Sequence, residues 1–256
     1  MVKPLYEFSD AKRVRKIVVV GDLHGDYSTF SKILKIVNLE EDCLVFLGDY
    51  ADRGNNGVEI IDMLILLKKK YPSNVIALKG NHEDYTEDGR PLFSPCDLIE
   101  EVVQKRGSWE EYFFSTFKPF ANDLYLAALI PGEILFVHGG VSSKIKSLDD
   151  LRNPSRDIEI DVLWSDPLEG YGEYPNPRGA GVEFGEDVTE EVCRRLGVKM
   201  IVRSHEPRKA LQGPCYEHDG KVVTVSSTSI YGGRPFVLVT TPSKPTKCLT
   251  LFLDSK

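Results

Sequence analysis

Four of the five histidines in this chain, His24, His82, His138 and His205, fall in short polar motifs that follow closely on apolar runs. The motifs read Gly21-Asp22-Leu23-His24-Gly25, Gly80-Asn81-His82-Glu83, His138-Gly139-Gly140 and Arg203-Ser204-His205. A fifth, Gly48-Asp49-Tyr50-Ala51-Asp52-Arg53-Gly54, carries no histidine but has the same setting. Aspartate, histidine and asparagine gathered in this way are what a pair of divalent cations needs, and such a pair is a means of breaking phosphate esters.

The spacing divides the ligands. Asp22 and His24 lie two apart on an extended turn, so both can face one ion. Asp49 can bridge two ions through its carboxylate, and Asn81, His138 and His205 can complete the second. Mixed imidazole and carboxylate donors suit Mn2+, Fe or Zn2+ better than Ca2+, and Mn2+ is the expected occupant. Two such ions bring four positive charges, of which Asp22 and Asp49 cancel two. The excess favours a hydroxide bridging the ions, since bound metal lowers the pKa of water toward about 7, and it favours a phosphate dianion. Arg53 can fork onto two phosphate oxygens. His82, beside Asn81 but free to point the other way, is placed to act as general acid for the leaving alkoxide, with Asp52 to orient its ring.

These residues require a particular scaffold. The β-branched run from Lys16 to Val20 predicts a strand buried on both faces, as do Cys43 to Leu47 and Asn74 to Leu78. Helices are expected from Phe30 to Val37 and from Val58 to Leu67, the latter ending in the solvated Lys68-Lys69-Lys70. The resulting βαβαβ order implies neighbouring parallel strands. A helical stretch from Leu98 to Phe117, broken at Gly107, precedes a hairpin of Leu124 to Leu129 with Ile134 to Val137. Arg152 to Arg156 reads as a polar loop and Tyr171 to Gly185 as an irregular one. A helix from Val188 to Leu196 leads to a strand from Lys199 to Val202. Three more strands follow, over Lys221 to Val225, Phe236 to Thr240 and Cys248 to Leu253. In open α/β sheets ligands bind beyond the carboxyl ends of strands, so the five motifs should meet in one crevice.

Composition narrows the classes. The chain has 256 residues, 41% of them hydrophobic, enough for one large domain over 1–256. Its net charge of −7 lacks the broad basic footprint of a nucleic-acid binder. No run approaches the roughly 18 apolar residues of a membrane span, and the mixed, charged segment from Met1 to Lys16 is unlike a signal peptide. Five cysteines without short spacing argue against a disulfide framework and for a cytoplasmic protein.

The set of motifs, in this order, resembles the PPP-type Ser/Thr protein phosphatases of the metallophosphoesterase superfamily over about Lys16 to Gly233. Leu163-Trp164-Ser165-Asp166-Pro167 is similar to that family's segment of the same sequence. Pro177-Arg178-Gly179 with Phe184-Gly185 is similar to the loop bearing its second phosphate-binding arginine, and Ser226 to Gly233 is similar to its tyrosine-bearing loop. The resemblance implies an α/β fold, a calcineurin-like sandwich of two mixed β-sheets flanked by helices. It implies Asp22 and His24 on the first metal, Asp49 bridging, and Asn81, His138 and His205 on the second. It implies His82 as acid with Asp52, phosphate held by Arg53 and Arg178, and Tyr231 beside the substrate. The expected substrates are phosphoproteins modified on serine or threonine, with tyrosine also accommodated. Short ends without regulatory extensions suggest a minimal catalytic core of the archaeal and bacterial type. A dinucleoside tetraphosphatase or another small-molecule phosphohydrolase shares the metal motifs and is the alternative. Asp166 is a candidate to support the site, Trp164 reads as a packing residue, and His218 as an exposed turn residue. The sequence carries no signal for oligomeric state.

Overall fold

In the computed structural model, which describes residues 3–8 and 14–253, the apolar runs are buried on both faces because each lies between two layers. Strands β1 (Lys3–Glu7) and β2 (Ile17–Val20) open the chain, followed by α1 (Tyr27–Lys35), β3 (Cys43–Phe46), α2 (Gly57–Lys70) and β4 (Val75–Ala77). The pleat sends successive side chains to opposite faces. Ile17, Val19, Cys43, Val45 and Ile76 therefore point into a core shared with a second sheet. Val18, Val20, Leu44, Phe46, Val75 and Ala77 pack instead against α1 and α2, on Phe30, Ile33, Ile60 and Leu64.

The remaining elements are α3 (Leu98–Arg106), α4 (Trp109–Tyr112), α5 (Lys118–Asn122), β5 (Tyr125–Ile130), β6 (Ile134–Phe136), α6 (Leu148–Arg152) and α7 (Arg156–Trp164), then β7 (Asp166–Pro167), β8 (Glu173–Pro175), β9 (Val182–Phe184), α8 (Glu186–Leu196), β10 (Met200–Arg203), β11 (Cys215–Glu217), β12 (Val222–Thr224), β13 (Phe236–Thr241) and β14 (Lys244–Phe252). The first sheet has the order β14-β13-β2-β3-β4, with β2, β3 and β4 parallel as the βαβαβ order requires. The second has the order β1-β5-β6-β10-β12-β11. Ile130, Phe136, Val202 and Val223 face the first sheet, while Leu129, Leu135, Ile201 and Val222 pack on Val162 of α7 and Val192 of α8. The result is a helix–sheet–sheet–helix sandwich. Parallel bridges between Asp22 and Ser226, and between Leu78 and Tyr125, tie the two sheets together near the strand ends that carry the motifs.

Several expectations need correction. The polar loop expected from Arg152 to Arg156 is present over residues 153–155, but it joins two helices that were not expected, α6 and α7. Ser147 caps α6 in a box with Asp150, and Ser155 caps α7 through Ile158 N. The stretch from Tyr171 to Gly185, expected to be irregular, contains β8 and β9, which join β7 in a small third sheet of order β7-β9-β8. The helix expected to end at Phe117 continues through a π-helical stretch, Phe113–Phe117, into α5. Lys68 is not solvated: it is buried, and its Nζ donates to the Asp123 carbonyl at 2.9 Å. His218 is half-buried rather than exposed, its two ring nitrogens meeting Thr189 Oγ1 at 2.7 Å and the Leu168 carbonyl at 2.9 Å. The leading segment, read from the sequence only as mixed and charged, supplies β1, which pairs parallel with β5; residues 1–2 and 9–13 lie outside the described residues.

Candidate active site

The turns that follow β2, β3 and β4 interlock before any side chain is considered. Leu23 and His24 both donate their N–H to the Asp49 carbonyl, at 3.0 and 2.9 Å. The turns after β3 and β4 touch so closely that a Cβ on Gly80 would lie 2.2 Å from Asp49 Oδ1. One on Gly48, whose φ is +109°, would lie 2.5 Å from Gly80 N. Glu83, wholly buried, clamps both turns. Its Oε2 accepts from Asp49 N and Gly80 N at 2.9 Å each, and its Oε1 from Tyr50 N at 3.0 Å. His24, Asp49, Asp52, Arg53 and His205 all have φ between 47° and 70°, a left-handed backbone that side chains rarely adopt.

This frame brings acceptors face to face. The His138 Nδ1–H donates to the Leu47 carbonyl at 2.8 Å, which leaves the Nε2 lone pair pointing at Asn81 Oδ1 at 3.0 Å and Asp49 Oδ1 at 3.3 Å. The His24 Nδ1–H donates to the Ala51 carbonyl at 3.1 Å, leaving Nε2 3.5 Å from Asp49 Oδ2. His205 Nδ1 meets the same Asn81 Oδ1 at 3.0 Å. Asp22 accepts from His205 N at 3.2 Å and from the Ser204 hydroxyl through Oδ1, while its Oδ2 is buried without any hydrogen-bond partner. Burial pushes His24 and His205 down to about 3 and holds His138 well below the ordinary histidine value, so all three imidazoles are neutral and offer lone pairs. Burial, and then the neighbouring Asp22 and Glu83, pushes Asp49 well above the usual carboxylate range. Two groups, His24-Asp49-His82 and Asp49-His138-His205, each hold their ligand atoms within 4.8 Å of one another. Lone pairs pointed at carboxylate and amide oxygens, with a carboxylate oxygen orphaned beside them, form an arrangement that cations would satisfy. The residues therefore fit a pair of divalent metals, and Asp49 belongs to both groups.

His82 stands against this cluster, its ring 5.0 Å from that of His24, centroid to centroid. Its Nδ1 meets Asp52 Oδ2 at 2.7 Å, and Asp52 Oδ1 accepts from Asp97 N at 2.5 Å and Leu98 N at 2.7 Å. Burial alone would raise the Asp52 carboxyl, yet the bond to His82 holds it below its ordinary value. Nδ1 is thus committed to Asp52, which leaves Nε2 as the ring's other proton site. Arg53 bonds Asp97 at 3.3 Å and the Pro95 carbonyl at 3.0 Å, and Arg178 Nε donates to Asp166 Oδ2 at 2.9 Å. Tyr231 places its ring 5.5 Å from that of His24. His24, Asp49, Arg53, Asn81, His82, Arg178, His205 and Tyr231 all line a cleft of about 320 Å³. Asp22, Asp52 and His138 are wholly buried or nearly so beneath it.

All the residues expected at the site from the sequence are thus gathered in one place. Sequence reasoning left Glu83 and Ser204 without a role, although both sit inside the quoted motifs. Asp166, a candidate for support, is the hub of a buried network: it binds Arg203 at 2.7 Å and Asn176 at 3.0 Å besides Arg178, and stands 3.8 Å from His205 Nε2. Burial disfavours its charge, but Arg203 beside it holds the carboxyl far below the usual range.

Residues 15–209 match the calcineurin-like phosphoesterase family, so the chain belongs to it. It is 37% identical to the serine/threonine-protein phosphatase C23G10.1 of Caenorhabditis elegans, over 83% of this chain and 47% of that protein. The chain therefore spans about half the length of this curated relative. Among solved structures, it superposes with a TM-score of 0.81 on a protein serine/threonine phosphatase from Saccharomyces cerevisiae with similarity to human phosphatase PP5, at 27% identity, over 100% of this chain and 84% of that one. A cold-active protein-tyrosine phosphatase of the psychrophile Shewanella sp. shares the fold, with a TM-score of 0.63 at 16% identity over 99% of this chain and 83% of that one.

Proposed function

We infer that residues 1–256 form one catalytic domain that hydrolyses phosphate monoesters on protein serine and threonine, with phosphotyrosine also accepted, using two divalent cations of which Mn2+ is the first choice and Fe or Zn2+ the alternatives. The observation that carries the reading is the meeting of lone pairs around Asp49, with the His82–Asp52 pair against one side and Arg53 and Arg178 in the same cleft. When bound, the cations supply a nucleophile from water and positive charge against the phosphate oxygens. Asp22 and His24 would hold the first, Asn81, His138 and His205 the second, and Asp49 both.

The chain's own residues would do the rest. Arg53 and Arg178 would turn from their carboxylate partners onto the phosphate oxygens, which replaces one anion by another at little electrostatic cost. His82, with Nδ1 fixed by Asp52, would deliver a proton from Nε2 to the departing serine or threonine oxygen. Tyr231 would border the phosphate, since it lines the same cleft as Arg53 and Arg178.

A protein substrate is favoured over a nucleotide by the shape around Arg178. This residue lines the cleft and also a second depression of about 690 Å³, bordered by Leu92, Phe93, Trp164 and Ala180. Two open depressions that share Arg178 suit an extended chain better than one closed pocket for a base. The five cysteines are free thiols, which supports a reducing, cytoplasmic setting. No helix among the described residues is long and apolar enough to cross a membrane.

The test is phosphate release by metal-stripped protein after Mn2+ is returned, across phosphoserine, phosphothreonine and phosphotyrosine peptides and a dinucleoside tetraphosphate. Mn2+-dependent release from the peptides is expected. Turnover of the nucleotide alone would move the protein to the small-molecule hydrolases.

A further inference from the structure

Beyond His205 the cleft is bordered by the turn Glu206-Pro207-Arg208-Lys209. Most of this turn is fixed. Pro207 is buried. Glu206 accepts from Arg203 Nη1 at 2.6 Å and pairs with Lys209 at 3.1 Å. Lys209 also donates to Glu217 at 2.9 Å and to the Pro167 carbonyl at 3.2 Å. Backbone bonds from Lys209 N to the Glu206 carbonyl, at 3.0 Å, and from Ala210 N to the Pro207 carbonyl, at 3.2 Å, close it.

Arg208 is the exception. It lines the cleft and is exposed, and among the described residues its side chain makes no hydrogen bond or ion pair. The other cleft arginines, Arg53 and Arg178, each have a carboxylate partner. In a chain of net charge −7 with 39 acidic residues, a guanidinium left uncompensated at the mouth of the cleft adds local positive potential that the rest of the surface does not supply. Because the turn beneath it is pinned by ion pairs, the group is presented from a rigid base, and only its own side-chain freedom is lost on binding.

We propose that Arg208 is a specificity-determining residue that receives an acidic side chain flanking the phosphorylated serine or threonine of the substrate. The proposal rests on the protein-phosphatase reading above. The scissile phosphate goes to Arg53 and Arg178, and Arg208, which lines the same cleft without a carboxylate partner, is left for a second anionic group of the same substrate.

The experiment compares kcat/KM for three phosphopeptides that differ only in carrying Glu, Gln or Lys beside the phosphorylated serine, with the acidic residue placed on either side in separate peptides. Wild type, Arg208→Ala and Arg208→Glu are measured at low and high salt. The readout is the Glu-to-Gln-to-Lys ratio within each protein, which cancels any general loss of activity. An exposed pair of this kind is expected to favour Glu over Gln by roughly 1.4- to 5-fold in wild type. The preference should vanish in Arg208→Ala, reverse in Arg208→Glu, and shrink at high salt. Equal ratios in all three proteins would overturn the role of Arg208 while leaving the phosphatase intact. Absence of turnover on every peptide by wild type would overturn the functional reading and this inference with it.

Discussion

Replacing Asp52 by asparagine tests the proton-delivery step with little change of shape. Asp52 Oδ1 accepts two backbone N–H groups, from Asp97 and Leu98. The amide oxygen of an asparagine must keep that position, because its NH2 group cannot accept from either. The NH2 group is then turned toward His82 Nδ1, where Oδ2 now stands at 2.7 Å. A donor facing Nδ1 forces that nitrogen to accept, so the ring is held neutral with its proton on Nε2. The imidazolium, which needs a proton on both nitrogens, is disfavoured by a buried donor–donor clash. Loss of an effective general acid costs about 10²- to 10⁴-fold, and kcat on a phosphoserine peptide should fall by that factor. On p-nitrophenyl phosphate, whose leaving group needs little protonation, the loss should be at least about tenfold smaller. Metal content and the far-ultraviolet circular dichroism spectrum should match wild type, because the two backbone bonds are kept. His82→Ala should show the same split between substrates. An equal loss on both substrates, with metals retained, would refute the assignment of His82 as the acid.

Glu83→Gln is predicted to weaken metal binding by about 10- to 100-fold, since a single amide oxygen cannot accept all three N–H groups that fix the Asp49 and Gly80 turns; wild-type affinity in a Mn2+ titration would show the clamp to be dispensable. Asp166→Asn should lose about 1.5 to 3 kcal/mol of stability at pH 7, because buried Arg203 loses one of its two carboxylate partners and keeps only Glu206. The Asp166 carboxyl is depressed in the folded state, so its contribution is complete above the unfolded value of about 3.9 and is lost as pH falls below that toward the lowered folded value. The gap between wild type and variant in urea unfolding should therefore narrow below about pH 4, and a gap that does not depend on pH would contradict this. Returning Mn2+ to stripped protein should relieve the facing lone pairs and raise Tm. Saturation to about 100 times Kd is worth about 2.7 kcal/mol per site, or roughly 5 to 10 °C for a chain of this size. A Tm unmoved by Mn2+, Fe2+ and Zn2+ alike would refute the metal site without reference to turnover.

The sandwich strands and the ligand cluster were legible because both depend on strong local signals. β2 and β3 are continuous apolar runs, and polar residues directly after such runs have little choice but to meet at the sheet edge. The small sheet of β7, β8 and β9 was not legible, since strands of two or three residues cannot display a period. The helices on either side of residues 153–155 were missed although Ser147 with Asp150 and Ser155 before Ile158 are capping signals; the charged residues around them masked the apolar spacing. Lys68 escaped notice because its burial depends on Asp123, which is distant in sequence and approaches only when α5 packs beside α2. Asp166 was legible as a supporting residue but its pairing with buried Arg203 was not, and Glu83 was visible only as a letter, because a carboxylate that clamps backbone amides looks the same in a sequence as one that faces water.

The left-handed backbone at His24, Asp49, Asp52, Arg53 and His205 has a bearing on how this chain can change over generations. At Arg53, the one of the five that is not buried, glycine would relieve strain of about 1 kcal/mol or more, so a mutation that removes this anion-binding side chain also gains stability, whereas at Asp52 it would strip the Asp97 and Leu98 N–H groups of their acceptor and cost more than it relieves. Selection for thermal tolerance alone, without selection for turnover, would therefore erode the site from Arg53 first. A lineage freed from the need for catalysis should carry glycine there while retaining Glu83 and Asp166, whose loss only destabilises.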